Sequence, residues 1–405
     1  MKILIVTQYF WPEDFRINDC IAYFTDQGHE VTILTGLPNY PEGHLFKDYK
    51  AQPDRFNKFN GANILRVPII LRGNNKFKLV LNYISFIFSA SIIGLFKLRK
   101  KTYDVIFVYE PSPITVGIPA IIISKFKKSP VVFWTLDLWP ETLVALDVIR
   151  SRFLIAFFQS IARYIYKNCA LVLGQSKSFV TTIKKYVPDQ DRVIFFPSWS
   201  EDIQLDTNER PATEITAQKD KFNILFAGNI AEAQDIPNLL RAIKLLKDHN
   251  SIRWIFVGDG RKLNWLKEQV NINKLQQSVL VLGRFPFSRM NSFFKHADAL
   301  LVSLRSSEAF SMTIPAKIQT YLKTGIPILG MLDGDGREVI DSAGAGFTCS
   351  AGDYEGLSRI ALKLSSLEET SRKDMGAAGI KYASNNFDRI KLFRKLEDIF
   401  KNVSV

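Results

Sequence analysis

Asn223-Ile-Leu-Phe-Ala-Gly228 is a run of apolar, strand-forming residues that stops on a glycine. The design recurs at Arg253-Trp-Ile-Phe-Val-Gly258-Asp259-Gly260 and at Val279-Leu-Val-Leu-Gly283. Helical stretches follow each of them: Asp235 to Lys247, then one from Leu263, then one from Ser288. A strand that ends in glycine and opens a helix puts its binding end on the carboxyl edge of a parallel sheet. Ala299–Ser303 and Pro327–Gly330 read as two more strands, so five strand ends share one edge. The fold class is α/β.

The same alternation fills the N-terminal half. Lys2–Thr7 is a buried first strand, followed by the loop Gln8–Glu13 and a helix to about Gln27. Further strands are expected at Val31–Thr35, Ile64–Pro68, Val105–Tyr109, Val131–Thr135 and Ala170–Gly174, with a short last one at Phe195-Phe196-Pro197. Glu201 to Asp220 is polar and carries Pro211, which suits a linker. The expected division is 1–200, a linker at 201–220, 221–387, and an amphipathic basic helix at 388–405. A chain of 405 residues is too long for one ordinary core, which agrees with two domains.

The formal net charge of +13 fits anionic partners: nucleic acid, a phospholipid surface or phosphorylated small molecules. Charge alone does not separate these. Cys20, Cys169 and Cys349 are far apart and read as reduced thiols. The four histidines are scattered, and no zinc pattern is present. The apolar opening breaks after a few residues at Thr7-Gln8, too soon for a signal-peptide core.

Leu79 to Phe96 reads LVLNYISFIFSASIIGLF and is flanked by Lys76, Lys78, Lys97, Arg99, Lys100 and Lys101. Its length approaches the roughly 18–20 residues that span a bilayer. A spanning helix would cut one α/β sheet in half and is set aside. Two readings stand: a helix buried in the first domain, or a helix docked peripherally on a membrane with basic ends on phosphates. Asn82, Ser85, Ser89 and Ser91 give the segment a weakly polar side, which suits docking. Phe153 to Tyr166, with Arg152, Arg163 and Lys167, would extend that surface.

A nucleoside diphosphate needs backbone amides at helix starts and a cation for its charge. Gly228-Asn229, Gly258 to Arg261 and Gly283-Arg284-Phe285 offer close backbone approach, with Arg261 and Arg284 as cations. Ser311-Met312-Thr313-Ile314-Pro315-Ala316-Lys317 leads into a helix with Pro315 in its first turn, so amides and Lys317 would form an anion site. Each glycine alone is a turn, and each arginine alone is a surface charge; their shared edge is the argument. In the first half, Trp134 to Glu141 (WTLDLWPE) follows a buried strand. Asp137 is a candidate general base or an N-cap, and Trp139 a sugar platform or a core residue.

The motifs QYFWPEDFRIND (Gln8–Asp19), GHEVTILTGLPNYPEG (Gly28–Gly43), DLWPE (Asp137–Glu141), FAGNI (Phe226–Ile230), VGDG (Val257–Gly260) and IPAKIQTYLKTGIPIL (Ile314–Leu329) run across nearly the whole chain. Together they resemble glycosyltransferase family 4, in its O-antigen and capsule branch with the N-acetyl-L-fucosamine transferases. The resemblance implies a GT-B fold, two Rossmann-like domains facing across a cleft. Residues 1–200 would be the acceptor side with the docking helix, and 221–387 the nucleotide-sugar domain. The helix 388–405 would cross back onto the first domain. It implies a retaining transfer from a UDP-sugar, such as UDP-N-acetyl-L-fucosamine, to a lipid-linked saccharide. No obligatory metal or other cofactor and no nucleic acid is implied. The setting would be peripheral, on the cytoplasmic face of a bacterial inner membrane.

Carried onto this chain, Asp137 and Glu308 become the catalytic candidates. Arg16, Gly228, Asn229, Arg261, Gly283, Arg284, Ser311, Met312, Thr313 and Lys317 become donor-binding candidates, and Trp139 and Glu141 acceptor candidates. Two departures stand out. The family's basic pair is missing from Gly228–Gln234, and the second of its two glutamates is replaced by Thr320. Other readings are a nucleotide-sugar epimerase of related fold and a non-catalytic scaffold of polysaccharide assembly. A dehydrogenase fits less well, since Gln8-Tyr9-Phe10-Trp11 replaces the glycine-rich turn after the first strand.

Overall fold

The computed structural model describes residues 1–73, 75–201, 210–216, 218 and 220–404. Much of the expected linker (202–209, 217 and 219) and the last residue of the expected terminal helix lie outside the described residues. The chain forms two compact units, Met1–Pro197 with Ile390–Val405, and Ser198–Arg389.

The first unit is built on eight strands: β1 (Lys2–Val6), β2 (Glu30–Thr35), β3 (Lys58–Phe59), β4 (Ala62–Arg66), β5 (Val105–Glu110), β6 (Val131–Thr135), β7 (Leu171–Gly174) and β8 (Val193–Phe195). Their order is β3-β4-β2-β1-β5-β6-β7-β8. Only β3–β4 is antiparallel. Ile3, Leu4, Ile5 and Val6 are all fully buried, the mark of a parallel strand covered on both faces. The direction of winding reverses between β1 and β5, so the loops after these two strands part and leave a crevice at the carboxyl edge. The helix Arg389–Val403 packs on this unit, with Phe400 set 5.4 Å from the ring of Phe24 and 5.2 Å from that of Phe107.

The second unit has six parallel strands: β9 (Phe222–Ala227), β10 (Ile252–Val257), β11 (Val279–Gly283), β12 (Ala299–Ser303), β13 (Ile328–Met331) and β14 (Gly346–Cys349). Their order is β11-β10-β9-β12-β13-β14, which reverses between β9 and β12. Those two strands pair only at Ala299–Ile224 and Leu300–Leu225, and then separate. The edge strands β3 and β14 are additions to the sequence reading.

The apolar segment of the first unit is one long helical run, Lys76–Ser89, a π-turn Ala90–Gly94, and Leu95–Leu98. Phe77–Leu98 is long and apolar enough to cross a membrane by length and composition. Its polar side faces inward and its apolar side outward. Asn82 is fully buried, accepts from Gln8 Nε2 (2.6 Å) and donates to the Ile70 carbonyl (2.6 Å). Ser85 Oγ accepts the Ile70 N–H at 2.9 Å. The outward face is a stripe of apolar side chains: Phe77 is 71% exposed, Phe88 62%, Ile92 68% and Phe96 63%, with Val80 and Ile84 between them. These lie at three- to four-residue spacing, one face of a helix. The helix Arg152–Lys167 also turns Phe153, Leu154 and Phe157 outward.

Candidate functional site

In the second unit the carboxyl ends of β9, β10 and β11 are locked together by the main chain. Gly228 N–H donates to the Val257 carbonyl (2.8 Å), Gly258 N–H to the Gly283 carbonyl (2.7 Å), and Ile230 N–H to the Asp259 carbonyl (2.7 Å). Gly258 has φ +147°, and a Cβ there would stand 1.8 Å from the Gly228 carbonyl oxygen, so no other residue fits. Asn229 is exposed on this rim, and its Oδ1 lies against Gly260.

Lys317 rises into the same place from the helix Ala316–Thr324. A Cβ on Gly228 would come within 2.7 Å of Lys317 Cε, so the bare glycine reserves room for the lysine stem. Lys317 Nζ sits 3.5 Å from the centre of the Phe226 ring. It makes no ion pair or hydrogen bond among the described residues. Burial of this ammonium without a counter-charge pushes its pKa down to about 7. The cation–π contact is a weak substitute for an anion. Pro315 is the N-cap of this helix and not a residue of its first turn, as the sequence reading had it.

Ala227 pairs with Val257 of β10, but the separation of β9 and β12 leaves it without a ladder partner on the β12 side. The buried Tyr321 fills the gap, its hydroxyl accepting from Ala227 N–H (3.0 Å) and donating to the Ala227 carbonyl (3.1 Å). The loop after β12 is tied to the loop after β9 by Ser303 Oγ to the Gln234 carbonyl (2.7 Å) and Arg305 N–H to the Ala233 carbonyl (2.8 Å). Glu308 is exposed in the one-turn helix Glu308–Ser311 that follows.

Other donor candidates are placed less directly. Arg261 and Arg284 are exposed at the ends of the β10 and β11 loops. The hydroxyls of Ser311 and Thr313 donate to the carbonyls of Glu308 (2.7 Å) and Ala309 (3.1 Å), and the Met312 side chain is buried. The side chains of Ser311 and Thr313 therefore serve their own turn. Thr320, where the family has a glutamate, donates its hydroxyl to the Ala316 carbonyl at 3.2 Å.

In the first unit, the carboxyl ends of β5 and β6 carry two carboxyl groups. Asp137 Oδ2 accepts the Trp139 indole N–H at 2.9 Å, with the side chains of Ser112 and Thr142 also bonded to the carboxylate. Burial raises its pKa against these bonds. Glu110 is fully buried behind it; its Oε2 accepts from the N–H groups of Leu136 and Asp137, each at 3.2 Å. Burial, then the charge of Asp137, pushes the Glu110 pKa well up. Trp139 is 6% exposed and packs edge-on against Phe158, the core alternative of its two readings. Glu141 accepts from the Tyr186 hydroxyl at 2.9 Å. Arg16 precedes the helix Ile17–Asp26, and its charge acts on Tyr109.

Residues 208–382 match the family described as glycosyl transferases group 1. A Pseudomonas aeruginosa protein named as the glycosyltransferase WbjE is 25% identical over 242 residues, spanning 58% of this chain and 60% of that relative's length. WcaI of Escherichia coli K12, named as a colanic acid biosynthesis glycosyl transferase, is 24% identical over 349 residues, 80% of this chain and 82% of its own. Among solved structures, Anabaena HepE in complex with UDP and glucose superimposes with a TM-score of 0.70 at 13% identity, over 99% of each chain. The fold is GT-B, and its second unit carries the match to the glycosyl transferases group 1.

Proposed function

We propose that this enzyme moves a sugar from a nucleoside diphosphate donor to a lipid-linked saccharide acceptor in the building of a bacterial surface polysaccharide. The observation that carries the reading is Lys317, an ammonium held over Phe226 beside Gly228 with no counter-charge. A diphosphate is the ligand that would complete it. The complex of HepE with UDP and the names of WbjE and WcaI support the donor class and the setting.

The chemistry follows from where charge develops. The bond from the donor's anomeric carbon to the diphosphate oxygen breaks, and a bond from that carbon to an acceptor hydroxyl oxygen forms. Negative charge grows on the departing diphosphate, and Lys317 with the glycine main chain of β9 and β10 would stabilise it. Such a cradle also replaces the basic pair that the sequence lacks. Asp137, with its raised pKa, would take the proton of the acceptor hydroxyl. Trp139 and Glu110 hold Asp137 in position and do not themselves meet the substrate. Glu308 is open to solvent and would orient donor hydroxyls. The resemblance gives the finer reading: a UDP-linked amino-deoxy sugar such as N-acetyl-L-fucosamine, with retention of configuration.

The exposed stripe Phe77–Phe96 and the outward residues of Arg152–Lys167 support peripheral docking on the cytoplasmic face of a bacterial inner membrane, where a lipid-linked acceptor resides. The test is incubation of the protein and a synthetic lipid-linked acceptor with a panel of UDP- and dTDP-sugars, with product identified by mass. Transfer from one of them is expected. Folded protein that binds no nucleoside diphosphate in calorimetry would overturn the reading.

A further inference from the structure

A surface groove of about 620 Å³ runs along β4 in the first unit. Lys58, Arg66, Lys97 and Lys101 line it, and none of its lining residues is acidic. Lys97 Nζ donates to the Arg66 carbonyl at 2.8 Å, and Lys101 Nζ to Thr32 Oγ1 at 3.4 Å. Both acceptors are uncharged, so they hold the ammonium groups in place without neutralising them. The buried Arg66 donates to the carbonyls of Gly36 (2.9 Å) and Trp11, and its Nε is buried with no hydrogen-bond partner. Glu13, the carboxylate whose charge acts on Arg66, is already committed to the N–H groups of Phe10, Asn39 and Tyr40 at 2.7–2.9 Å. Glu30, on the same face of β2 as Thr32, makes no ion pair with Lys101. Four cations thus surround a space with room for a small anion.

The location says which anion. Lys97 lies in the last turn of the helical run whose outward face is Phe88, Ile92 and Phe96, and Lys101 follows just beyond its end. An apolar stripe that ends on a cationic groove has the layout of a lipid: tails beside the stripe, phosphate at its end. A soluble phosphate would explain the groove but not the stripe next to it.

We propose that this groove is a discrete headgroup site, taking the phosphate of one anionic phospholipid while the stripe lies in the acyl region. The proposal rests on the membrane-docking reading above and adds a stoichiometric, headgroup-selective contact to it. It involves none of the residues assigned to donor or acceptor chemistry.

The test is binding of the full chain to vesicles of phosphatidylcholine alone and of phosphatidylcholine with one part in three of phosphatidylglycerol. Three proteins are compared: the wild type, the groove variant Lys58→Gln/Lys97→Gln/Lys101→Gln, and a control of equal charge loss, Lys177→Gln/Lys184→Gln/Lys185→Gln. The wild type is expected to prefer the anionic vesicles, and the groove variant to lose roughly a hundredfold of that affinity, at about a factor of five per lysine. The control is expected to keep most of it. Equal loss in the groove variant and the control would mean diffuse attraction and would overturn the proposal. Retention of the preference in the groove variant, with calorimetric binding of glycerol 3-phosphate by vesicle-free wild type, would assign the groove to a soluble phosphate and also overturn it. Wild type that binds neither vesicle would sink the docking reading as well. Donor binding, measured on the same proteins in solution, reports separately on glycosyl transfer.

Discussion

The hydroxyl of Tyr321 answers both main-chain groups of Ala227, accepting its N–H and donating to its carbonyl. One side chain thereby replaces a missing stretch of sheet at the point where β9 and β12 part. The binding edge of the second unit depends on this substitution, since Ala227 leads directly into Gly228. Tyr321→Phe would leave two buried polar groups unsatisfied. It should destabilise the protein by roughly 1–3 kcal/mol. Denaturant unfolding checks this; a loss below a few tenths of a kcal/mol would show that water replaces the hydroxyl.

Gly258→Ala should be more severe. Its Cβ would lie 1.8 Å from a main-chain oxygen at a backbone angle that disfavours side chains. The β9 and β10 loops must then separate, at a cost of roughly 3 kcal/mol or more. Weakened UDP binding together with a lowered Tm is expected. Wild-type affinity in this variant would show that the two loops need not touch.

Lys317→Met should do two opposite things. It removes the cation proposed for the diphosphate, so transfer should fall by roughly 10²-fold or more. It also removes a desolvated charge. Folding lowers the Lys317 pKa from 10.5 to about 7, so between these values the unfolded chain binds more protons and stability rises with pH. Below pH 7 the penalty is fully present. The variant should therefore melt a few degrees above wild type near pH 6, and the gap should close toward pH 10. Thermal scans at several pH values measure this; a variant that melts lower at pH 6 would show that the ammonium is well solvated.

Donor affinity should carry the same signature. The diphosphate needs the charged form of Lys317, so UDP binding should weaken as pH rises above about 7, by up to roughly tenfold per pH unit. The dependence should be flat in Lys317→Met. Calorimetry at pH 6 to 9 distinguishes the two, and a flat wild-type profile would remove Lys317 from the phosphate site.

Asp137→Asn should lower kcat by roughly 10²–10⁴ with little change in UDP affinity. Trp139→Phe keeps the packing on Phe158 and loses only the N–H bond to Asp137. A smaller fall in kcat, with a shift in its pH profile, is expected there. An unshifted profile in Trp139→Phe would mean that Asp137 is not the titrating group.

The strand–glycine–helix pattern made the sheets legible, because β9, β10 and β11 each stop where the main chain must pass close to a neighbour. The expected strands recur in the structure with small changes of boundary. What stayed hidden was tertiary. Phe226 is one apolar residue in an apolar strand, and nothing local says that an ammonium rests on its ring. Glu110 looks like the polar end of a strand until Asp137 arrives from 27 residues later. Asn82 and Ser85 gave the long helix a polar side, but periodicity does not say which side meets the protein. Asn82 is buried and bonded to Gln8 and Ile70, and the half-buried Ser85 accepts from the Ile70 N–H. The short β3 and β14 carry too few apolar residues to announce themselves.

The terminal helix Arg389–Val403 has a consequence for biosynthesis. Phe400, fully buried against Phe24 and Phe107, belongs to the first unit, although Ser198–Arg389 intervenes in the chain. A ribosome delivers the N-terminal end first. The first unit must wait, with the rings of Phe24 and Phe107 uncovered, until its last residues emerge, whereas the second unit is contiguous and can close earlier. A chain interrupted before the final helix therefore loses a piece of its oldest core, and the apolar surface left open makes such a chain a substrate for chaperones and proteases.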